Sequence, residues 1–268
     1  MRGLVRCVLA ASVVAAGVGA GPAGSSVAAA NQSSASAIAS IRPTANQVVG
    51  VAHPIVVTFG APVTDRPAAE RALRIRSVPP MTGKYEWVDS NTVQWVPDRF
   101  WPAHSTVALS VGGRSTSIQT GPEVLGVASI SDHSFTVTID GVESGPPPRL
   151  PAPHHRAHFG EEGVLPATMG RPEYPTPVGT YSVLAKEGEI TMDSSSVGIP
   201  VDAPDGYLLE VDHAVRITSR GLFVHSAPWA VNSMGYENVS HGCIGLSPED
   251  AEWYFNTVNV GDPVIVRE

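Results

Sequence analysis

Cysteine, charge and basic runs are all scarce in this sequence. Two of its 268 residues are cysteines, Cys7 and Cys243, which excludes a scaffold held by several disulfide bonds. Charged residues make up 16% of the chain, and 17 basic residues stand against 25 acidic ones, for a net charge of -8. No run of five lysines and arginines occurs. Because nucleic-acid binding depends on such basic clusters, we expect no nucleic-acid partner.

Glycine and proline, in contrast, are abundant, with 26 and 24 residues, and 43% of the chain is hydrophobic. Frequent turn formers between short apolar segments are typical of a β-rich fold. The hydrophobic content is sufficient for a buried core in one large domain or two modest ones. We therefore predict a mainly β protein, and a coiled coil, a helical bundle and a wholly disordered chain are excluded.

The first thirty residues have the composition of an export signal. Arg2 and Arg6 form a basic start, residues 7–16 an apolar segment, and three consecutive alanines a small-residue cleavage site. We predict cleavage after Ala30 and an exported protein of the periplasm or cell wall. The alternative is an uncleaved anchor, because the apolar stretch continues for a few residues more. Membrane association is expected in that case alone.

Two β-rich domains are predicted after the signal. Residues 31–42 are small and polar, as in a flexible linker. Residues 43–122 contain alternating apolar runs separated by turn formers, a pattern typical of an immunoglobulin-like β-sandwich. Gly121 and Pro122 mark the boundary with a second domain, residues 123–268. The runs of the first domain lie at 55–59, 73–75, 93–95 and 107–111. Its core is expected to contain three tryptophans, with an exposed aromatic patch as the alternative: Trp87, Trp95 and Trp101.

The second domain is predicted to be mainly β with a short helix. Residues 124–130 and 135–139 alternate around a polar turn and predict a β-hairpin. A capping Ser247, followed by proline and two acidic residues, predicts a helix over about 248–258. The polar, serine-rich segment 193–205 predicts a loop that closes over a site. Further strands are expected at 181–184, 216–218, 222–224 and 263–266.

Three histidines in a proline-rich segment, His154, His155 and His158, have a spacing compatible with metal binding. The neighbouring prolines oppose a helix that would present them together, and no acidic partner stands in a recognisable helical motif. We interpret them as solvated loop histidines and expect no metal site.

One thiol, Cys243, remains after the predicted cleavage. A thiol reacts as thiolate, and at its ordinary pKa of about 8.5 it needs a base or a cation nearby. His225 and His241 lie close enough in sequence to supply one, and Gly242 lets the backbone turn tightly so that amides face a reacting carbonyl. A buried and inert cysteine is the alternative.

His225, Ser240, His241, Gly242 and Cys243 form the pattern of a histidine, fourteen residues, and then Ser-His-Gly-Cys. This pattern resembles the catalytic motif of the L,D-transpeptidases, the YkuD-type cysteine enzymes of bacterial cell walls. The resemblance extends from about residue 43 to the C-terminus. Other features also resemble the two-domain mycobacterial members of the family. These are the preceding immunoglobulin-like domain and the segments 175–179, 192–195 and 223–229.

The resemblance implies that Cys243 attacks the carbonyl between the third residue of a stem tetrapeptide and its terminal D-Ala, which gives a thioester acyl-enzyme. His225 would be the base, its ring oriented by a backbone carbonyl rather than by an acid. The amides of Gly242 and Cys243 would bind the oxyanion. His241 would either shape the loop or support the thiolate. The expected substrate-binding residues, with core packing as the alternative for the tryptophan, are Ser240, Ser226, Trp229, Met192 and Ser195.

Two positions depart from the family pattern. Gly245 stands where an asparagine or arginine is common, and Val197 stands where a tyrosine commonly leans over the site. Loss of a hydrogen-bonding residue there would weaken substrate positioning. The expected activity is a transpeptidase that joins stem peptides by 3-to-3 cross-links. The alternatives are an L,D-carboxypeptidase that trims D-Ala and a catalytically weak wall-binding protein.

The resemblance also implies the partners of the protein. These are peptidoglycan stem peptides, with a tetrapeptide as donor and a diamino acid as acceptor, and carbapenem β-lactams as acylating inhibitors. Thiol acyl transfer requires neither a metal ion nor an organic cofactor, so we expect none.

Overall fold

The computed structural model describes residues 37–146 and 161–268. Within these ranges the chain is mainly β, with eighteen strands and two α-helices, which confirms the predicted fold class. The predicted export signal and His154, His155 and His158 lie outside the described residues. None of the helices in the two ranges is both long and apolar enough to span a membrane.

The N-terminal domain is a sandwich of two four-stranded sheets. Its strands are β1 (Ile38–Arg42), β2 (Val48–Val49), β3 (Ile55–Phe59), β4 (Arg76–Val78), β5 (Gly83–Trp87), β6 (Thr92–Pro97), β7 (Thr106–Val111) and β8 (Arg114–Thr120). The sheets have the orders β1-β3-β6-β5 and β2-β8-β7-β4. Alternate residues of β3 are buried and share a core with Val107 and Leu109 of the other sheet, as the two-residue period predicts. Trp95 and Trp101 are buried in this core and Trp87 packs against it, which confirms their predicted place.

Two predictions for this domain are wrong. Residues 38–42 were expected to belong to a flexible linker, but they form β1, because Ile38 and Ile41 pack against the core and the strand pairs with β3. The run at 73–75 was expected to be a strand, but Leu73 is the last residue of helix α1 (Arg66–Leu73). Asp65 caps α1 by accepting a hydrogen bond from the Ala68 amide. This helix is too short for its apolar period to be evident in the sequence.

One ten-stranded sheet forms the second domain. Its strands are β9 (Val124–Ser129), β10 (Ser134–Ile139), β11 (Val142–Glu143), β12 (Val164–Thr168), β13 (Gly179–Ser182), β14 (Ala185–Asp193), β15 (Leu208–Arg216), β16 (Phe223–Ser226), β17 (Ile244–Leu246) and β18 (Pro263–Arg267). The order is β13-β18-β9-β10-β12-β17-β16-β15-β14, and β11 pairs with β10. Helix α2 (Pro248–Thr257) packs against this sheet through Ala251 and Tyr254.

The predicted hairpin and helix of this domain are confirmed. Strands β9 and β10 pair in antiparallel register, with Phe135 opposite Ala128. The side chain of Ser247 caps α2 by accepting a hydrogen bond from the amide of Asp250, and a proline occupies the first turn. The ring of Phe135 meets that of Tyr254 edge to face at 4.9 Å, which joins the hairpin to the helix.

Backbone hydrogen bonds join the two domains. The Gly50 amide donates to the Val260 carbonyl over 2.9 Å, and the Ala52 amide donates to the Gly261 carbonyl over 2.7 Å. Gly261 has a φ of 95°, a conformation that favours glycine. A Cβ atom at Gly50 would overlap the backbone of Gly261 and Asp262. The close approach of two backbones therefore fixes this seam.

We expect Gly50→Ala to lower the free energy of unfolding by about 1–3 kcal/mol, because the added methyl group pushes two hydrogen-bonded backbones apart. Denaturant unfolding of the purified protein measures the change. Gly188→Ala is the matched control, since a Cβ atom there meets nothing within 4 Å. Equal stability of the two variants would contradict a seam set by backbone approach.

Candidate active site

The pairing of two parallel strands brings the predicted base and nucleophile together. His225 lies in β16, and Cys243 directly precedes β17. The two strands run parallel in a register that places His225 opposite Gly245. Both His225 and Cys243 line one pocket at this end of the strands. The sheet thus joins residues that are eighteen positions apart in the sequence.

His225 is buried, and its ring is held by the main chain. The Nδ1 atom lies 2.7 Å from the carbonyl oxygen of Ser226. Because a carbonyl oxygen can only accept a hydrogen bond, Nδ1 carries the proton and Nε2 is left as the basic nitrogen. Burial lowers the pKa of His225, so the ring is neutral at neutral pH. The orientation by a backbone carbonyl agrees with that implied by the resemblance.

Cys243 is a protonated thiol in the resting site. Its Sγ atom lies 3.6 Å from the carbonyl oxygen of Gly221, within hydrogen-bond range for sulfur. Burial raises the pKa of the thiol to about 11. The lowered pKa of His225 and the raised pKa of Cys243 both favour a neutral imidazole and a neutral thiol over an imidazolium and a thiolate.

The loop that presents Cys243 is tied by hydroxyl groups. The Ser240 hydroxyl donates to the Cys243 carbonyl over 2.6 Å and accepts from the Gly242 amide over 3.0 Å. The Thr176 hydroxyl donates to the Gly242 carbonyl and accepts from the Gly170 amide, both over 2.8 Å. Gly242 has a φ of 119°, which explains the glycine at this position. The Gly242 amide, expected to bind an oxyanion, is instead engaged by Ser240.

His241 lies between two aromatic rings. Its ring centroid is 4.9 Å from that of Tyr174 and 4.9 Å from that of Tyr207. The Nη2 atom of Arg171 lies 3.0 Å from its Nε2 atom and 2.6 Å from an oxygen of Asp205. Burial, reinforced by the charge of Arg171, lowers the pKa of His241. The lowered pKa favours a neutral His241, which can accept a hydrogen bond from Arg171 beside Cys243.

The pocket has a volume of about 260 Å³ and carries no charged side chain in its lining. Met192 and Trp229 line it as predicted, and Trp229 is 54% exposed, so it is not part of the core. The full lining comprises Thr168, Met192, Tyr207, Leu209, His225, Ala227, Trp229, Ala230, Val239, Ser240, His241, Cys243 and Gly245. The described residues include no group of His, Cys, Asp and Glu side chains arranged to hold a metal ion.

Two predicted substrate-binding residues lie elsewhere. Ser195 is exposed in a short 3-10 helix (Ser194–Val197), where its amide donates to the Asp193 carboxylate; it does not line the pocket. Ser226 is buried in β16 and contributes its carbonyl to His225. Both serines are predicted from their neighbours in the sequence alone. Strand alternation and the capping bond decide where their side chains lie.

The two departures from the family pattern have different outcomes. Val197 is exposed outside the pocket, but Tyr207, which the sequence analysis missed, supplies an aromatic ring to the lining. The lining is therefore not without a tyrosine. Gly245 is a buried residue of the pocket lining, where a Cβ atom would be 3.0 Å from methyl carbons of both Ala227 and Thr168. Packing this tight excludes a larger side chain at position 245 unless Ala227 and Thr168 move.

Arg171, Tyr174, Thr176 and Asp205 were also missed. Arg171 and His241 are 70 positions apart, and Arg171 and Asp205 are 34 apart. No local motif marks such residues, because their importance comes from contacts between three separate loops.

Comparison with known families gives two matches. Residues 155–266 match the model of the L,D-transpeptidase catalytic domain, and residues 12–114 match that of a bacterial Ig domain. The chain is 68% identical to a probable L,D-transpeptidase 3 of Mycobacterium tuberculosis, over 100% of both chains.

Solved structures agree with this likeness. A crystal structure of L,D-transpeptidase 3 from Mycobacterium tuberculosis with a faropenem-derived adduct is 69% identical, with a TM-score of 0.83 over 88% of this chain and 100% of that one. A structure of the L,D-transpeptidase LdtMt1 in complex with imipenem is 49% identical, with a TM-score of 0.76 over 86% of this chain and 98% of that one.

We expect Thr176→Val to lower the free energy of unfolding by about 1–3 kcal/mol and to reduce activity, because it leaves two buried backbone groups without partners. Denaturant unfolding and a thiol acylation assay measure the two effects. The control is Thr180→Val, since Thr180 is exposed on β13. An unchanged acylation rate in Thr176→Val would show that this bond does not hold the loop in its reactive form.

Proposed function

The chain belongs to the L,D-transpeptidase family, and from that premise we propose that it joins peptidoglycan stem peptides by 3-to-3 cross-links through a thioester at Cys243. The observation that carries the proposal is that a basic imidazole nitrogen and a free thiol line one uncharged pocket. Members of this family are acyltransferases. Cysteine dependence and the 3-to-3 bond are the finer steps that need a test.

The first half of the reaction forms the acyl-enzyme. The Sγ atom of Cys243 attacks the carbonyl carbon between the third stem residue and D-Ala, and Nε2 of His225 takes the thiol proton. As the tetrahedral intermediate collapses, the carbon–nitrogen bond breaks and the imidazolium returns its proton to the amine of D-Ala. The products are a thioester at Cys243 and free D-Ala.

The second half transfers the acyl group to another stem. The side-chain amine of the acceptor diamino acid attacks the thioester carbon while His225 removes a proton from that amine. The carbon–sulfur bond then breaks, and the sulfur regains a proton. Water in place of the amine would give the carboxypeptidase reaction with the same acyl-enzyme.

We assign the oxyanion to the amide of Cys243, because the Gly242 amide already donates to Ser240. Removal of one such donor costs about 10²–10³ in rate in other acyl-transfer enzymes. The hydrogen bond from the Gly242 amide to Ser240 also holds the loop. The oxyanion would then be bound by the Cys243 amide on a fixed backbone, instead of by the two amides expected from the sequence.

Carbapenem-type β-lactams are proposed as inhibitors. The strained ring carbonyl would take the place of the stem carbonyl, and the thioester would form at Cys243 by the same proton transfer. Support comes from the similar enzymes solved with a faropenem-derived adduct and with imipenem. We also propose that the protein acts outside the cytoplasm, in the periplasm or cell wall, on the strength of the signal-like N-terminus.

Cys243→Ala should abolish both the thioester and the product, because the pocket lining contains no other thiol. The test incubates purified protein with disaccharide-tetrapeptide and determines the masses of protein and muropeptides. A 3-to-3 dimer that has lost one D-Ala supports the transpeptidase. Tripeptide monomer alone would establish the carboxypeptidase instead, and the absence of both thioester and product would leave a wall-binding role.

His225→Asn should lower the acylation rate by about 10²–10⁴-fold, since it removes the general base. The matched control is His213→Asn. His213 lies in β15 outside the pocket lining, and its φ of 51° is a conformation that asparagine adopts readily. Similar rates in the two variants would contradict the role of His225.

The alkylation rate of Cys243 should rise steadily from pH 7 towards pH 10, because the thiol pKa is raised to about 11 and the thiolate is therefore a minor species at neutral pH. Peptide mapping after timed exposure to iodoacetamide measures the rate at each pH. A rate that is already constant below pH 8 would indicate a preformed thiolate–imidazolium pair and contradict the neutral pair.

A further inference from the structure

We propose that Arg171 and Asp205 form a latch that positions Tyr207 and His241 around Cys243, so that Arg171 is a positioning residue for acylation. The inference deepens the proposed function and rests on it. Neither Arg171 nor Asp205 lines the pocket. Both act through the two rings that do.

Arg171 makes a dense set of contacts for a side chain that is 22% exposed. Its Nη2 atom lies 2.6 Å from Asp205 Oδ1 and 3.0 Å from His241 Nε2. Its Cζ atom lies 4.7 Å from the centre of the Tyr174 ring. Its Nε atom lies 3.7 Å from the Glu173 carboxylate, which is more exposed. One guanidinium thus satisfies an anion, an imidazole and an aromatic face together.

These contacts join three separate segments. Arg171 lies between β12 and β13, and its amide donates to the Ser240 carbonyl, so its backbone is fixed to the catalytic loop. Asp205 lies in the connection between β14 and β15, which we predicted to close over the site. The ion pair therefore ties this connection to the loop that carries Cys243, and the Tyr174 hydroxyl adds a longer hydrogen bond of 3.4 Å to Asp205.

Asp205 of the latch stands two residues before Tyr207, which lines the pocket. Tyr207 follows Asp205 in the chain, and its amide donates to the Ser194 hydroxyl over 3.0 Å. Its ring packs on His241 and lines the pocket. Without the ion pair, this corner keeps the two hydrogen bonds between Ser194 and Tyr207 and the weaker one from Tyr174 to Asp205, and the ring of Tyr207 gains freedom. A misplaced wall of this kind can cost about 10²-fold in rate.

The latch also contributes to the pKa of His241, which burial lowers in the first place. The groups that face His241 are Arg171, Tyr174, Asp205 and Tyr207, and the charge of Arg171 lowers the pKa of the imidazole while Asp205 raises it. Replacement of the guanidinium by a neutral amide removes the cation and leaves the anion. We therefore expect the pKa of His241 to rise in that variant.

The test compares Arg171→Gln, Asp205→Asn, the double variant and Arg171→Lys with the parent. Arg216→Gln is the matched control, because Arg216 pairs with Glu187 over 2.9 Å at similar exposure and neither residue lines the pocket. Acylation by imipenem, followed by protein mass, gives the maximal rate and the half-saturating concentration. Titration of the His241 ring by NMR gives its pKa without any substrate.

We expect Arg171→Gln and Asp205→Asn each to lower the maximal acylation rate by about 10–100-fold, with a smaller change in half-saturation. The double variant should be no slower than the slower single variant, since either change opens the same latch. Arg171→Lys should recover part of the rate. The pKa of His241 should rise in Arg171→Gln and stay unchanged in Arg216→Gln.

If the parent is acylated and the latch variants are acylated at rates within two-fold of it, the proposal is overturned. It is also overturned if the rate loss in the double variant equals the product of the losses in the two single variants. If Arg171→Gln does not fold, Asp205→Asn decides by the same criteria. If the parent itself is not acylated, the proposed function fails. The latch is then judged by the His241 titration, and an unchanged pKa in Arg171→Gln overturns it.

Discussion

The parallel pairing of β16 with β17 is the constraint on which the site depends. It places His225 opposite Gly245, two residues after Cys243, and both strands lie in the interior of the ten-stranded sheet. Parallel neighbours need a long connection, and here the connection contains the pocket residues Trp229 and Val239. One pairing therefore sets the reacting groups and the wall that surrounds them.

Burial in this sheet determines how the base and the thiol are used. With Nδ1 of His225 bonded to the Ser226 carbonyl, the free nitrogen and its direction are set without any acid. Burial lowers the pKa of His225 and raises that of Cys243, which favours the neutral form of both groups at neutral pH. A buried ion pair would carry a desolvation cost that this neutral pair avoids.

Around the pair, polar contacts hold loops that have no regular structure of their own. Thr176 and Ser240 fix the backbone of the catalytic loop from two sides, and Arg171 ties that loop to the connection that carries Tyr207. Each contact satisfies a buried or half-buried polar group, which is the reason such loops can be rigid. Hydrogen bonds between backbone groups likewise join the two domains at Gly50.

The sequence alone determined the fold class, the hairpin, helix α2 and the candidate dyad, because alternation, capping and the spacing of Cys243 and His225 are local signals. Tertiary structure decided the rest. It made β1 from a segment that reads as linker, placed Ser195 outside the pocket, engaged the Gly242 amide, and assembled Arg171, Asp205 and His241 across as many as 70 positions. The physical reason is that these outcomes depend on packing between distant segments, and no short stretch of sequence records which loops will meet.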